Sequence, residues 1–434
     1  MNPRRKVVVT GLGLVTSLGL NVEESWQKAL AGVSGIHRLT DPLSQKSPVQ
    51  AVGEVCASER QRIEEEFKEE ALLEGERKTL FALWAAKRAI EDADLLKAQG
   101  SRDRYGVVLA SGLGINRLED IQPWVGVDRK FDLVRFERED ERVQGESIIR
   151  NNSNRTAARV ATRFGFNGMN GTVTSACASG TQAVGIGYRA IQRGEADVMA
   201  VGGADSMINP VGLVFFVLLS AATTSSESPE TLCRPFDRKR SGLVMGEGSG
   251  VAILEEESHA LKRGARVYAE VIGYGASLDA YQVTAPHPQG RGAEQSMRAA
   301  FKDAGLGPDG IDYINAHGTS TKLNDLIETV AIKRVFGEHA SRVAISSSKS
   351  LIGHLLAASG APEFIFTVLT VARDEIHPTI NLTHPDPKCD LDYVPNVKRR
   401  KRVRAALSNS FGFGGQNGSI IVKKYSREER CSST

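Results

Sequence analysis

Cys177 stands in the segment Thr172–Gly180, TVTSACASG. β-branched residues precede it, and a helical apolar pattern (Ala183, Ile186, Tyr188, Ile191) follows. The pattern predicts a strand, a turn and a helix, with the thiol at the turn. The positive end of a helix dipole favours thiolate, and small neighbours leave room for a substrate. The same cysteine could equally be a buried structural thiol, since free cysteines are often buried. His317 ends an apolar run in INAHGTST, where a structural histidine is the competing reading. Lys349 and His354 share the turn-rich segment SSSKSLIGH, and Glu363 lies on the helix that follows. Lys349 is expected to pair with Glu363 in a poorly solvated place. Ser408–Gly418, SNSFGFGGQNG, is a glycine-rich loop carrying Phe411 and Phe413. Glycine permits unusual backbone angles there, and the loop lacks the lysine of a phosphate-cradling P-loop.

These residues need a scaffold. Short apolar runs at Lys6–Thr10, Gly106–Ala110, Asp197–Val201 and Val403–Ser408 end in glycines and read as strands buried on both faces. Leu80, Leu83, Ala86, Ile90 and Ala93 recur at helical spacing, as do Leu323, Leu326, Ile327, Val330 and Ala331. Alternating strands and helices argue for a layered α/β protein. A faint echo links GVVLASGLG with DYINAHGT, and the segment around Cys177 with that around His354. Duplication with halves meeting near residue 260 would explain the echo, and so would chance. Val211–Ala222 is the longest apolar stretch, too short to span a bilayer, and reads as a buried loop or helix edge that could line an apolar tunnel. Lys398–Arg402 reads as a solvated turn, with an acidic carrier docking there as the alternative. Glu64–Glu70 reads as an exposed helix face.

The chain has 434 residues, 41% hydrophobic and 25% charged, a globular mixture able to bury a large core. A net charge of +3 gives no case for nucleic acid or a membrane surface as partner. Five scattered cysteines without a CxxC pair argue against disulfides or zinc, and for a reducing compartment, cytoplasmic or organellar. The opening GLG lacks the third glycine of a dinucleotide fingerprint, because Thr16 stands there.

In order along the chain, VVVTGLGLVTSLG, CASG, VGGADSM, RPFDRKRSGLVMGEGSG, NAHGTST, SKSLIGH and NSFGFGGQNG resemble the β-ketoacyl-acyl-carrier-protein synthases of the thiolase superfamily, type II elongating class. The resemblance implies a five-layered α-β-α-β-α fold of two duplicated halves, 1–258 with the cysteine and 259–434 with the histidines and the phenylalanine loop. It implies decarboxylative condensation in fatty acid elongation, joining an acyl group on Cys177 with a malonyl group delivered by acyl carrier protein. A homodimer is expected. No organic cofactor is called for, and no sequence feature establishes a metal. The resemblance makes His317 and His354 donors to an enolate and gives Lys349 the task of holding the site. It assigns the backbone N–H groups of Cys177 and Phe411 to an oxyanion hole, and the Phe411 ring to a gate. Ile115 and Phe216 match acyl-pocket positions. Asp279, Thr319, Thr321 and Phe413 match positions that bind substrate or flank the gate. Asp325, Glu328 and Glu363 support the site from behind.

The chain departs from the family pattern at Lys322, where proline is usual, and at Gln416, where threonine is usual. Asn116 replaces a glycine. LVFFVLLSAA after Gly212 replaces small residues and an arginine. The altered segment keeps a ketosynthase of polyketide or polyene assembly open. A non-catalytic chain-length partner would lack the nucleophile. A degradative thiolase would carry a second cysteine near the C-terminal loop, where Phe411 stands.

Overall fold

The structure, a computed structural model, describes residues 4–40, 47–97, 101–112, 122–139 and 152–426. Its centre is a ten-stranded mixed sheet. The strands are β1 (Val7–Val15), β2 (Tyr105–Ser111), β3 (Asn170–Val173), β4 (Val198–Asp205) and β5 (Gly248–Glu256). They continue as β6 (Ala269–Leu278), β7 (Tyr313–Asn315), β8 (Ala344–Ser346), β9 (Ala405–Phe411) and β10 (Gln416–Lys424). The spatial order is β8-β7-β9-β10-β6-β1-β5-β4-β2-β3. From the middle outward, each group of five runs first, fifth, fourth, second, third. β2 and β7, the strands of the GVVLASGLG and DYINAHGT echo, occupy the same place in the two groups.

Helices make the remaining layers. α1 (Arg77–Asp92) and α2 (Arg155–Phe164) cover the outer face of the first five strands. α3 (Ser179–Gln192) touches β2, β4 and β10, so it lies between the two groups. α4 (Pro210–Leu218) lies outside the sheet. α5 (Arg291–Ala304) covers β6 and β10 and packs on α6 (Lys322–Phe336). α7 (Lys349–Ile352) is one turn, and α8 (Gly360–Arg373) shares the middle layer with α3. The result is the α-β-α-β-α stack expected from the sequence. No helix among the described residues is long and apolar enough to cross a membrane.

β1 shows how the sequence sets this packing. The strand does not stop at its glycines, as the apolar run alone suggested, but continues through them to Val15. A register shift between Val9 and Gly11 reverses the alternation, so Val7 and Val9 share the central core with Leu12 and Leu14. Gly11 and Gly13 then face α1. A Cβ on Gly11 would lie 2.1 Å from the Ala89 carbonyl oxygen, and one on Gly13 would lie 1.9 Å from that of Ala85. The GLG motif therefore lets a helix approach a strand and cradles no phosphate.

Three readings of the sequence change in detail. Val211–Ala222 overlaps the helix α4, whose Val214 and Leu218 are exposed while Phe215, Phe216 and Leu219 line an apolar cavity, so of the two readings the helix edge holds and the buried loop does not. Arg399 and Arg400 form a short strand against Glu375 and Ile376, with Lys398 and Arg400 facing Glu375 and Arg399 paired to Asp392. Two carboxylates thus face part of a run of five cations, which includes a short strand and is not only a solvated turn. Glu64–Glu70 spans two short helices, Ala57–Glu66 and Lys68–Glu74, with Phe67 buried between them.

Candidate active site

Cys177 sits between β3 and α3, two residues ahead of the first helical residue, and is 7% exposed. Ala176 before it holds φ +47, a left-handed angle that turns the chain sharply. Ser320 (φ +65) and Leu356 (φ +50) show the same strain beside His317 and His354. Strain of this kind persists only where the surroundings enforce it, and it gathers at functional sites.

The sulfur of Cys177 and ring nitrogens of His317 and His354 all lie within 4.8 Å of one another. The two imidazoles meet edge to face, with centroids 5.4 Å apart. Their hydrogen bonds fix the tautomers. Lys349 Nζ donates to His317 Nδ1 at 3.1 Å and to the His317 carbonyl at 2.7 Å. The Leu356 N–H donates to His354 Nδ1 at 3.1 Å, and Ser359 Oγ lies 2.7 Å from the same nitrogen. With Nδ1 accepting in both rings, each neutral imidazole carries its proton on Nε2. Burial first, then the charge of Lys349, holds both rings well below the usual histidine value of 6.5. The rings are therefore neutral N–H donors. A trio of this spacing could otherwise ligate a thiophilic metal, but a protonated Nε2 has no lone pair for one.

Carboxylates brace the histidines. Glu328 accepts the N–H groups of His317 and Gly318, each at 2.8 Å. Asp325 accepts the Phe236 N–H at 2.9 Å and lies 3.4 Å from the Arg240 guanidinium. Glu363 pairs with Lys349, and Ser410 links Glu363 to Thr181 on α3. Burial pushes Glu363 and Glu328 up to about 7, against the pull of Lys349 on Glu363 and of the two backbone N–H groups on Glu328. The expected Lys349–Glu363 contact is thus present and fully enclosed, and it is tied to His317.

Burial pushes the Cys177 thiol up to about 11, while the Lys349 charge and the Phe413 N–H pull it down. The sequence reading expected the helix dipole to favour thiolate; burial, the largest influence on this thiol, acts in the opposite direction. The loop amide that donates to Sγ is that of Phe413, two residues beyond Phe411, whose N–H the resemblance assigned to an oxyanion hole. The reason is the chain path. Phe411 still belongs to β9, with its ring 6.0 Å from that of His317, and the loop turns toward the sulfur only after Gly412. A Cβ on Gly412 would lie 2.9 Å from the Cys177 nitrogen.

Two cavities meet at Cys177. The larger, about 500 Å³, is lined by His317, His354, Thr319, Thr321, Asp279 and Lys322. The smaller, about 460 Å³, is lined by Phe215, Phe216, Leu218, Leu219, Met207 and Leu356. Phe413 and Leu219 border both, so the Phe413 ring, not that of Phe411, stands at the junction. Phe216 lines the apolar cavity and Thr319 and Thr321 the larger one, their hydroxyls 2.9 Å apart. Asp279 accepts from Asn417 at 2.9 Å and from the His287 N–H at 2.8 Å, bracing the 412–416 loop. Ile115 lies outside the described residues. Leu356, Ser359 and Gly412 escaped the sequence reading. Backbone donation by Leu356 leaves no trace in residue type, whereas Ser359 was legible as a hydroxyl five residues past His354.

A nucleophilic sulfur between an apolar cavity and a more polar one, faced by two N–H donors, suits acyl transfer with an enolate as the second partner. Comparison with known proteins points the same way. Residues 4–260 match the beta-ketoacyl synthase N-terminal domain and residues 268–383 its C-terminal domain. The chain is 40% identical over 423 residues to a 3-oxoacyl-[acyl-carrier-protein] synthase 2 of Synechocystis, covering 97% of this chain and 99% of that protein. It is similar to a type II polyketide ketosynthase solved with its acyl-carrier protein and a hexaketide (TM-score 0.85, 32% identity, 97% and 100% covered). It is also similar to the ishigamide ketosynthase/chain length factor (TM-score 0.83, 34% identity, 98% and 100% covered).

Proposed function

This chain belongs to the beta-ketoacyl synthase family, and from that premise we propose a decarboxylating condensing enzyme of fatty acid elongation. Cys177 attacks the thioester of an acyl group on acyl carrier protein; the thiol proton leaves with the carrier thiol, and the acyl group stays on sulfur. Its chain lies in the apolar cavity and its carbonyl oxygen faces the N–H groups of Cys177 and Phe413. Malonyl carrier then enters by the larger cavity. Loss of CO2 leaves an enolate whose oxygen accepts from Nε2 of His317 and His354. The carbanion attacks the acyl carbonyl, the C–C bond forms, and the sulfur leaves and regains a proton. The product is 3-oxoacyl carrier protein.

The observation that carries this reading is the convergence of one sulfur and two neutral imidazoles within 4.8 Å at the junction of two cavities. Lys349 orients His317, Phe413 gates the apolar cavity, and Asp325, Glu328 and Glu363 hold the frame. We read the chain as two duplicated halves, 1–258 and 259–434, and as a homodimer. Free cysteines at 56, 177, 233 and 389 support a cytoplasmic setting. Incubation with acyl and malonyl carrier proteins tests the function: the expected result is one CO2 released per 3-oxoacyl carrier formed. No product across a panel of acyl lengths would refute it. A polyketide or polyene ketosynthase is the second reading, favoured by the bulky α4 lining of the apolar cavity. Acceptance of 3-oxoacyl or polyenoyl chains over saturated ones would select it.

A further inference from the structure

Lys322 breaks a local rule. It is the first residue of α6, where the helix dipole disfavours a cation and where proline fits well. It is exposed, and it lines the cavity that ends at Cys177. The carboxylates around it are engaged elsewhere. Asp325 accepts from Phe236 and faces Arg240, and Asp386 pairs with Arg240. Asp237 accepts the N–H groups of Lys239, Thr383 and His384. Arg240 donates to the carbonyls of Thr321 and Lys322, each at 3.1 Å, which fixes the turn bearing exposed Arg238 and Lys239 beside Lys322. Lys322 thus stands exposed on a cavity whose inner end is a nucleophile, and two more exposed cations lie on the turn that Arg240 ties to its backbone.

A charge set against local preference with no evident compensation marks function. We infer that Lys322, supported by Arg238 and Lys239, binds the phosphoryl group of the arm that carries the thioester. A carrier-bound thioester hangs from phosphopantetheine. Its single anionic group lies at the end joined to the carrier, far from the reacting carbonyl. The thioester belongs at Cys177 and the amides of the arm pass the hydroxyls of Thr319 and Thr321, which leaves the phosphate at the rim. The inference rests on the condensing reading given above and adds the residue that recognises the arm.

The test compares malonyl-phosphopantetheine with malonyl-pantetheine, which lacks only the phosphoryl group, as substrates of the acyl-enzyme. The readout is the ratio of their kcat/KM values in the parent, Lys322→Pro, Lys322→Gln and Lys322→Arg. An exposed pair supports a ratio about fivefold lower in the Pro and Gln variants, and retained by Arg. Added salt should lower the parent ratio and leave the Pro and Gln ratios flat. A ratio equal to the parent's in both neutral variants would overturn the assignment. Turnover of neither thioester by the parent would fail the condensing reading itself, and this inference with it.

Discussion

Replacing Lys349 by methionine isolates what the buried ammonium does. Its Nζ serves His317 Nδ1, the His317 carbonyl and Glu363 together. Methionine keeps most of the volume and removes every donor. Breaking a buried pair costs about 3–5 kcal/mol, because the surviving charge is left uncompensated. Burial already pushes Glu363 up to about 7, so at neutral pH it sheds part of that cost by taking a proton. The lower end, about 3 kcal/mol, is therefore expected. A melting entropy of about 2.1 cal/mol/K per residue over 434 residues is roughly 0.9 kcal/mol/K, so Tm should fall by about 3 °C. Lys349→Met with Glu363→Gln replaces the pair by neutral groups and should return Tm to within about 1 °C of the parent. Condensation should stay low in both variants, by about a hundredfold, because nothing then donates to His317 Nδ1 and its Nε2–H is no longer held as donor. Calorimetry and product formation at pH 7 read the two effects separately. A single variant that melts with the parent, or a double variant that regains full rate, would refute the reasoning.

Other outcomes follow from the same geometry. Because His317 and His354 titrate well below 6.5, neither should put a step near 6.5 into the condensation rate, and any inflection between pH 6 and 8 should vanish in Glu328→Gln or Glu363→Gln, whose carboxyls burial raises to about 7. For stability the unfolded chain binds more protons at these histidines as pH falls below 6.5, so they destabilise the fold on the acid side. Glu363 runs the other way: raised from 4.5 to about 7, it stabilises at low pH and loses that contribution as pH rises through 7. The Tm of the parent relative to Glu363→Gln should therefore decline from pH 5 to pH 8. Gly412→Ala places a Cβ 2.9 Å from the Cys177 nitrogen and should lower acylation about a hundred- to a thousandfold, through the blocked oxyanion donor, as read by burst kinetics. Phe413→Ala should widen acceptance of long or branched acyl groups in a substrate panel, and Phe411→Ala should not.

The parts of the site written in residue type were legible. The thiol at a strand–helix turn, the two histidines at turns and the Lys349–Glu363 pair each show in local pattern, but that pattern also fits a structural thiol and structural histidines, and the ordered set of motifs is what chooses between them. The four strands read from sequence correspond to β1, β2, β4 and β9, because short apolar runs too brief for a buried helix fit strands covered on both faces. The parts set by backbone direction were not. Whether Phe411 or Phe413 presents its N–H to the sulfur depends on where β9 ends, and two phenylalanines in one glycine loop look alike in sequence. The thiol's proton affinity depends on how completely the two halves bury it, which the helix dipole argument leaves out. The exposure of α4 escaped because an almost wholly apolar helix has no polar face to announce its solvent side.

Peptide mapping by mass spectrometry, after exposure to an acyl carrier thioester alone, tests the central claim most directly. The account predicts one acyl mass on the peptide containing Cys177, none on those containing Cys56, Cys233 or Cys389, and its discharge into 3-oxoacyl product when malonyl carrier is added. An acyl group elsewhere, or product formed at the parent rate by Cys177→Ala, would contradict it.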